Sequence, residues 1–256
     1  PGFTESWEEL PQQLVKEARR REVESLLKFG VFEEVRKEEL PKNVTVIPSR
    51  FLYRMKTPTM AKARLVVQQV KHTKGSTTDA FTLAVCPTAV TGRLLIWYAL
   101  RNGYEVHEGD VSTAFLHAPI PEEDQVIVRP PLCMNSPYLW RLRKALYGLQ
   151  RAPRVWQDWY AATVQSLGFS HSQIDPQFYF DKKRKVWMVT HADDIRLTGP
   201  IAMIQEVKAL MSQKMEIKWL AVLDNNWHSF LGAMWKRSDK TQAETKPAQS
   251  HIQNVI

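Results

Sequence analysis

The run VWMVTHADDIRLT, residues Val186 to Thr198, decides how this chain is read. Val186–Thr190 and Ile195–Leu197 are apolar stretches that read as two strands, and two adjacent carboxylates, Asp193 and Asp194, stand at the turn between them. Like charges at the tip of a hairpin with buried arms repel each other and are costly to desolvate. A polar turn is one explanation, since Asp is common in turns. A divalent cation is another, because carboxylate oxygens are the hard ligands that magnesium takes. A second acid interrupts an apolar strand upstream. In VHEGDV (Val106–Val111), Asp110 ends a strand ahead of a short helical stretch, Ser112–Ala118. A shared metal site requires that acids 83 positions apart in sequence lie on neighbouring strands.

The rest of the composition describes a folded chain with an uneven charge. Of 256 residues, 44% are hydrophobic and 24% charged, enough to bury a sizeable core. Mean hydropathy is −0.35. No run approaches the roughly 18 apolar residues of a membrane helix, so no membrane partner is expected. No basic-then-apolar leader opens the sequence, and a start at Pro1 reads as a piece of something longer. Cys86 and Cys133 lie far apart, which excludes a disulfide framework and a cysteine zinc site and fits a reducing compartment. The net charge of +8 raises the expectation of a polyanionic partner. Residues 41–75 hold 8 basic residues and no acid, and residues 141–154 hold 5 basic residues and no acid. Between them, residues 76–140 carry 7 acids against 3 bases. An acidic centre between cationic blocks suits metal ions plus phosphates; solvated surface charge is the alternative.

Mixed helices and strands in irregular order predict an α+β fold. The first 40 residues read as helical, with capping-box spacing at Ser6 and Glu9, Pro11 opening a second segment and Gly30 closing it. VTVIPSRFLYR (44–54) and KARLVVQQV (62–70) read as a cation-rich hairpin around Pro58. Thr88 to Asn102 reads as a helix ended by Gly103, followed by a strand, Tyr104–Asp110. A further helix starts at Pro153 and ends at Gly168, with Trp156, Trp159 and Tyr160 on one stripe that reads as core. Phe178–Phe180 and Val186–Thr190 read as strands, 201–215 as a helix and Trp227–Trp235 as a last strand, after which the chain turns polar.

Several of these segments fall in an order that resembles a known family. GDVSTAFLHAPI (Gly109–Ile120), followed about eighty residues later by the strand–ADDI–strand unit, is similar to the catalytic motifs of reverse transcriptases, and most of all to those of copia-type long-terminal-repeat retrotransposons. KALYGLQRAPRVW (Lys144–Trp156) resembles that family's block with two substitutions, and KARLVVQQV, FTLAVCPTAV (Phe81–Val90), GFSHSQIDPQFYF (Gly168–Phe180) and SFLGAMW (Ser229–Trp235) fall in family order. The chain departs from the pattern before the aspartate pair, where His191 and Ala192 replace an aromatic and an aliphatic residue.

The resemblance implies a right-hand polymerase with fingers and palm, the palm sheet antiparallel and backed by helices. Within a single domain it places fingers at about 1–95 and 119–150, palm at about 96–118 and 151–236, and the start of a truncated thumb at about 237–256. Asp110, Asp193 and Asp194 would be catalytic and metal-binding. They would hold two Mg2+ ions, with Mn2+ as the substitute, for in-line phosphoryl transfer from a deoxynucleoside triphosphate to a primer 3′-hydroxyl. Asp194 takes a supporting role, because adjacent residues rarely both face one site. Lys62 and Arg64 would meet the triphosphate, Phe115 the incoming sugar, and Tyr147 and Gly148 the nucleotide pocket. Arg151, Arg154 and His191 would contact template or primer. Integrase and ribonuclease H segments are expected outside this chain, and the family's setting is intracellular, in cytoplasmic particles and the nucleus. A second reading is a catalytically weak remnant that binds nucleic acid through basic residues 41–75 and 141–154. A metal-dependent nuclease or integrase also uses three acids, but leaves the YGLQRAPR block without a role.

Overall fold

The computed structural model describes Phe3, residues 10–69 and residues 84–248. The Ser6–Glu9 capping box, Lys71 and Lys74 lie outside the described residues. In chain order the first elements are α1 (Gln12–Lys28), β1 (Phe32–Val35), β2 (Val46–Thr57), β3 (Met60–Val67), α2 (Ala89–Asn102) and β4 (Val106–Val111). There follow β5 (Ile127–Arg129), β6 (Leu139–Leu142), α3 (Ala152–Ser166), β7 (Ser170–His171), β8 (Phe178–Asp181) and β9 (Val186–His191). The last are β10 (Asp194–Thr198), α4 (Ile201–Lys214), β11 (Ile217–Trp219), β12 (His228–Phe230), β13 (Ala233–Arg237) and β14 (Ala243–Pro247). The irregular order of helices and strands is the expected α+β class. Among the described residues no helix is long and apolar enough to cross a membrane.

The chain divides into two compact units, changing over at residues 83/84, 114/115 and 159/160. The sequence reading places its boundaries elsewhere, near 95, 118 and 150. The first unit is built on a five-stranded sheet in the order β1-β6-β5-β2-β3, with β2 and β5 parallel and the other neighbours antiparallel. The β2–β3 hairpin shows the period of two that sorts side chains by face. Phe51, Tyr53, Ala61, Ala63 and Leu65 are buried on one face. On the other, Arg54 lies opposite Lys62 and Leu52 opposite Arg64, which gathers cations there. Glu22 of α1 accepts the Leu65 N–H at 2.9 Å, so the outer strand of the sheet keeps no open donor at that point.

The expectation that the first 40 residues are helical is corrected for the stretch after Gly30. Gly30, at φ +59°, ends the helical run as expected, but Phe32–Val35 then forms β1, antiparallel to β6. Burial of Val35 and ion pairs from Glu33 to Arg141 and Arg143, at 2.7 and 2.8 Å, hold that strand in place. None of those partners is close enough in sequence to appear in a local pattern.

Gly148 makes a close approach that only glycine permits. Its φ is +87°, and a Cβ built on it falls 2.0 Å from the carbonyl oxygen of Val67. The Val67 N–H donates to the Tyr147 carbonyl at 2.7 Å, so this turn lies against the end of β3. Gly148→Ala is therefore expected to cost at least about 3 kcal/mol, from a left-handed backbone plus an overlap that moves main chain. A urea unfolding curve checks it; an unchanged midpoint is the contrary result.

The second unit carries a six-stranded sheet in the order β11-β4-β10-β9-β8-β7, antiparallel at every pairing. α2 backs it as the sequence predicts. Thr88 caps the helix by accepting the Thr91 N–H at 3.2 Å, and Gly103 ends it at φ +67°. Leu95, Ile96 and Ala99 of α2 pack with Val106, Val189, Phe230 and Trp235 in one core. Asp175, itself buried, ties a loop to this helix by accepting the Thr88 N–H at 3.0 Å and the Thr91 hydroxyl.

Two further expectations are corrected. Trp227–Trp235 is not one strand but a hairpin, broken at Leu231 and Gly232, whose φ values are +53° and +67°. The polar stretch beyond Ser238 contains β14, which pairs with β13 in a three-stranded sheet. Apolar content alone did not reveal the first break, and an exposed edge strand does not need apolar content.

Candidate metal centre

The site is made by strand register in the second unit. β10 runs antiparallel to β4 with Asp194 opposite Asp110, Ile195 opposite Gly109 and Arg196 opposite Glu108. β9 and β10 form a tight hairpin in which Asp194 faces His191, leaving Ala192 and Asp193 in the turn. Ala192 adopts φ +55°, a left-handed turn residue. The Asp193 carbonyl accepts the Val111 N–H at 2.8 Å, which pins the turn against β4. Gly109 has no side chain because Trp219 of β11 occupies that space: an added Cβ falls 2.8 Å from the indole.

These constraints bring the three carboxylates together. Asp110, Asp193 and Asp194 each place an oxygen within 4.8 Å of the others, and all three are half-buried. Carboxylate oxygens gathered this closely are the donor set that a hard divalent cation would take, and the three aspartates are the residues that would hold it. Asp194 does not turn away from its neighbour; its strand position aims it across at Asp110. Burial pushes its pKa up to about 6, and the charges of Asp193, Asp110 and Glu108 add to that, against the opposing Arg196. A divalent cation suits this oxygen-only donor set and removes the repulsion.

Two positions along the same ladder lies an ion-pair network that sequence reasoning did not single out. Arg196 and Glu108 are both buried, and the guanidinium donates from Nε to Glu108 Oε1 at 2.6 Å. The other oxygen of Glu108 is 2.6 Å from His228 Nδ1, and His228 Nε2 is 3.1 Å from Asp224. The Arg196 guanidinium also lies over the Phe230 ring, 4.4 Å from its centroid. Burial opposes a charge on His228, but its bonds to Asp224 and Glu108 prevail and raise its pKa. The signal was present as lone charges, Glu108 and Arg196, in otherwise apolar strands; only the register shows that they meet.

The remaining sequence-predicted residues lie in the first unit, apart from His191 at the end of β9. Phe115 meets the Tyr147 ring edge-on at 5.1 Å, and the Arg64 guanidinium covers Tyr147 at 4.6 Å. Lys62 shares the Arg64 face of β3; burial lowers its pKa, and Arg64 and Arg54 lower it further. Lys62, Arg64, Phe115, Tyr147 and Gly148 thus come from three separate sequence segments into one unit, and Arg64, Phe115 and Tyr147 are in direct ring contact. Arg151 pairs with Asp124 at 2.5 Å, and Arg154 pairs with Asp158 at 2.8 Å, one helical turn along α3. Trp156 and Tyr160 are core, as expected, and Trp159 is half-buried and stacks on His117.

With register and carboxylates in place, comparison with known proteins agrees with the motif reading. Residues 32–241 match the family described as reverse transcriptase (RNA-dependent DNA polymerase), and the chain belongs to that family. Within it, the chain is similar to retrovirus-related Pol polyproteins of transposons, the copia-type group expected from the motifs. It is 29% identical over 220 residues to that of transposon TNT 1-94 from Nicotiana tabacum, covering 80% of this chain and 16% of the relative. It is 28% identical over 209 residues to that of transposon RE1 from Arabidopsis thaliana, covering 77% of this chain and 14% of the relative. A truncated transposon Ty1-A Gag-Pol polyprotein of Saccharomyces cerevisiae is 35% identical over 149 residues, covering 56% and 12%. The chain therefore spans about one sixth or less of the length of these relatives. A solved foamy viral protease-reverse transcriptase in complex with double-stranded DNA aligns at a TM-score of 0.47 and 12% identity, over 94% of this chain and 36% of that one.

Proposed function

We propose that this chain carries out RNA-directed DNA synthesis as the polymerase portion of a retrotransposon polyprotein, using Asp110, Asp193 and Asp194 to hold two divalent cations. The single observation that carries the reading is the convergence of those three carboxylates at the β4–β10 register. Magnesium is the ion of choice for an all-carboxylate site, with manganese able to substitute. When bound, the cations supply activation of the primer hydroxyl and neutralisation of the triphosphate and leaving pyrophosphate. The chain's own part is to fix the ligand oxygens: β10 presents Asp194, the hairpin turn presents Asp193 and β4 presents Asp110. Lys62 and Arg64 are assigned to the triphosphate, Phe115 to the deoxyribose, Tyr147 and Gly148 to the nucleotide pocket, and Arg151, Arg154 and His191 to template and primer. The first unit corresponds to fingers and the second to palm. Template–primer, deoxynucleoside triphosphates and neighbouring polyprotein segments such as integrase and ribonuclease H are the partners, and the setting is intracellular, in cytoplasmic particles and the nucleus.

The test is primer extension by this chain on an RNA template with Mg2+. Incorporation that needs the metal supports the reading, and incorporation that survives loss of the aspartates overturns it.

Metal binding itself has a pH signature. The folded pKa of Asp194 is pushed up to about 6, above the 3.8 of an exposed Asp, so the folded chain binds this proton more tightly than the unfolded chain. Metal-free stability from this group therefore increases as pH falls through about 6, the reverse of a salt-bridged Asp. Mg2+ competes with that proton. At a hundredfold excess over Kd the ion adds about 2.7 kcal/mol of stability well above pH 6. Thermal unfolding with and without Mg2+, at about pH 7.5 and about pH 5, is expected to show a shift at the higher pH that shrinks at the lower. An equal shift at both would contradict the assignment of Asp194 as a ligand.

A further inference from the structure

Phe3 precedes every motif that the sequence reading singled out, yet its ring meets the guanidinium assigned to the triphosphate. The period of two along β2 and β3 puts Arg54, Lys62 and Arg64 on one face of the hairpin. Phe3 is half-buried against two of them. The Arg64 guanidinium carbon is 4.7 Å from its ring centroid, and that of Arg54 is 4.8 Å from it. Arg64 also lies over a second ring, Tyr147, at 4.6 Å. Tyr147 in turn meets Phe115 edge-on. All of these residues belong to the first unit.

A guanidinium offers two kinds of surface. Its flat faces take aromatic rings, and its planar rim carries the N–H donors that match the oxygens of phosphate. A ring over Arg64 therefore uses a part of the group that a phosphate does not need. Arg64 Nε is buried without a hydrogen-bond partner among the described residues, so no acceptor there fixes the group through that atom. An arginine left to rotate loses conformational freedom when it binds an anion, and rings that hold it beforehand reduce that loss. The neighbouring charges call for such restraint. Burial lowers the pKa of Lys62, and Arg64, Arg54 and Lys56 lower it further, with Glu22 opposing. Cations that repel each other spread apart unless packing holds them, and a ring beside Arg54 and Arg64 attracts both.

We propose that Phe3 is a positioning residue for nucleotide binding: with Tyr147 it holds the Arg64 guanidinium so that its N–H rim is presented to the triphosphate of the incoming nucleotide. Phe3 acts through Arg64 and touches no substrate itself. The inference rests on the assignment of Arg64 to the triphosphate in the polymerase reading above. A ring that filled the nucleotide's own space would act in the opposite sense, and its removal would tighten binding.

The affinity of the full chain for inorganic triphosphate is measured in chelator, so that the aspartate cluster contributes no metal-held ligand. Phe3→Ala is expected to weaken it about tenfold, and Phe3→Leu about as much, because apolar volume without a π-face does not replace the ring. Phe3→Tyr is expected to stay within about twofold of the parent. In an Arg64→Ala background the loss from Phe3→Ala shrinks to about twofold or less, since the two side chains act through one contact. With metal, RNA template and primer, Phe3→Ala raises KM for the deoxynucleotide about tenfold and leaves kcat within about twofold, the pattern of lost binding rather than lost chemistry. Matching urea midpoints for the variants and the parent exclude a folding defect.

No triphosphate binding by the parent, unchanged or tighter binding by Phe3→Ala, or an undiminished loss in the Arg64→Ala background overturns the proposal. A chain that extends primers with metal yet loses no triphosphate affinity through Phe3→Ala overturns this positioning role alone. A chain in which Phe3→Ala weakens triphosphate binding but extension survives loss of the aspartates supports the positioning role and removes the polymerase reading.

Discussion

Asp110→Asn and Asp193→Asn are each expected to reduce primer extension at least about a thousandfold, because several kcal/mol of transition-state charge stabilisation pass through the metals these carboxylates hold. Asparagine keeps the shape and one oxygen but removes the charge. Since each lies within 4.8 Å of the other two acids, the substitution also removes a repulsion that the metal-free fold bears. The same variants are therefore expected to unfold at an equal or higher urea concentration than the parent, and to lose the Mg2+-dependent rise in stability. This combination separates a metal-site role from a structural one. An aspartate kept for a turn or a cap would lose stability on substitution, by about 1 kcal/mol for a cap, and leave chemistry intact. Extension at parental rates by either variant defeats the assignment.

Arg196→Ala is expected to cost about 3–5 kcal/mol of stability, the penalty for removing one partner of a buried pair. Arg196 is 2% exposed and Glu108 is 7% exposed, so after the substitution the buried carboxylate is left to its hydrogen bond with His228. The truncation also removes the cation that faces the Phe230 and Trp235 rings. A double variant, Arg196→Met with Glu108→Gln, is expected to recover much of the loss, because a buried ion pair is often replaceable by neutral groups of similar volume. Equilibrium urea unfolding of the two single variants and the double gives the coupling directly. Additive losses would mean that the pair does not act as a unit. Because the pair sits two positions from Asp110 and Asp194 on the same two strands, extension by Arg196→Ala is expected to fall as well, through displaced ligands rather than lost chemistry.

Much of the site was legible from the sequence, and for identifiable reasons. Asp110, Asp193 and Asp194 stood out because carboxylates are costly within apolar strands. The helix ahead of β4 announced itself through Thr88 at its start, Gly103 at its end and a strong apolar pattern between. The β9–β10 hairpin followed from two apolar runs around a polar turn. What escaped were short strands whose sole justification is a distant partner. β1, β5, β6 and β11 are three or four residues long, too short for a period to register. β14 is mostly exposed and polar, and its pairing with β13 supplies the order that its composition does not. Arg151 and Arg154 illustrate a further limit, since their acidic partners Asp124 and Asp158 were not part of the pattern that marked them as cationic.

The amino-acid sequence by itself determined the membership of the family, the α+β class and the identity of the three acids, because those rest on residue types and spacings that are properties of the chain. Tertiary structure alone decided that Asp194 joins the other two and that Glu108 and Arg196 pair beside them. The physical reason is common to both. Side-chain encounters between strands are set by register, a one-residue slip moves every side chain to the opposite face, and register is fixed only when the whole sheet has found its core.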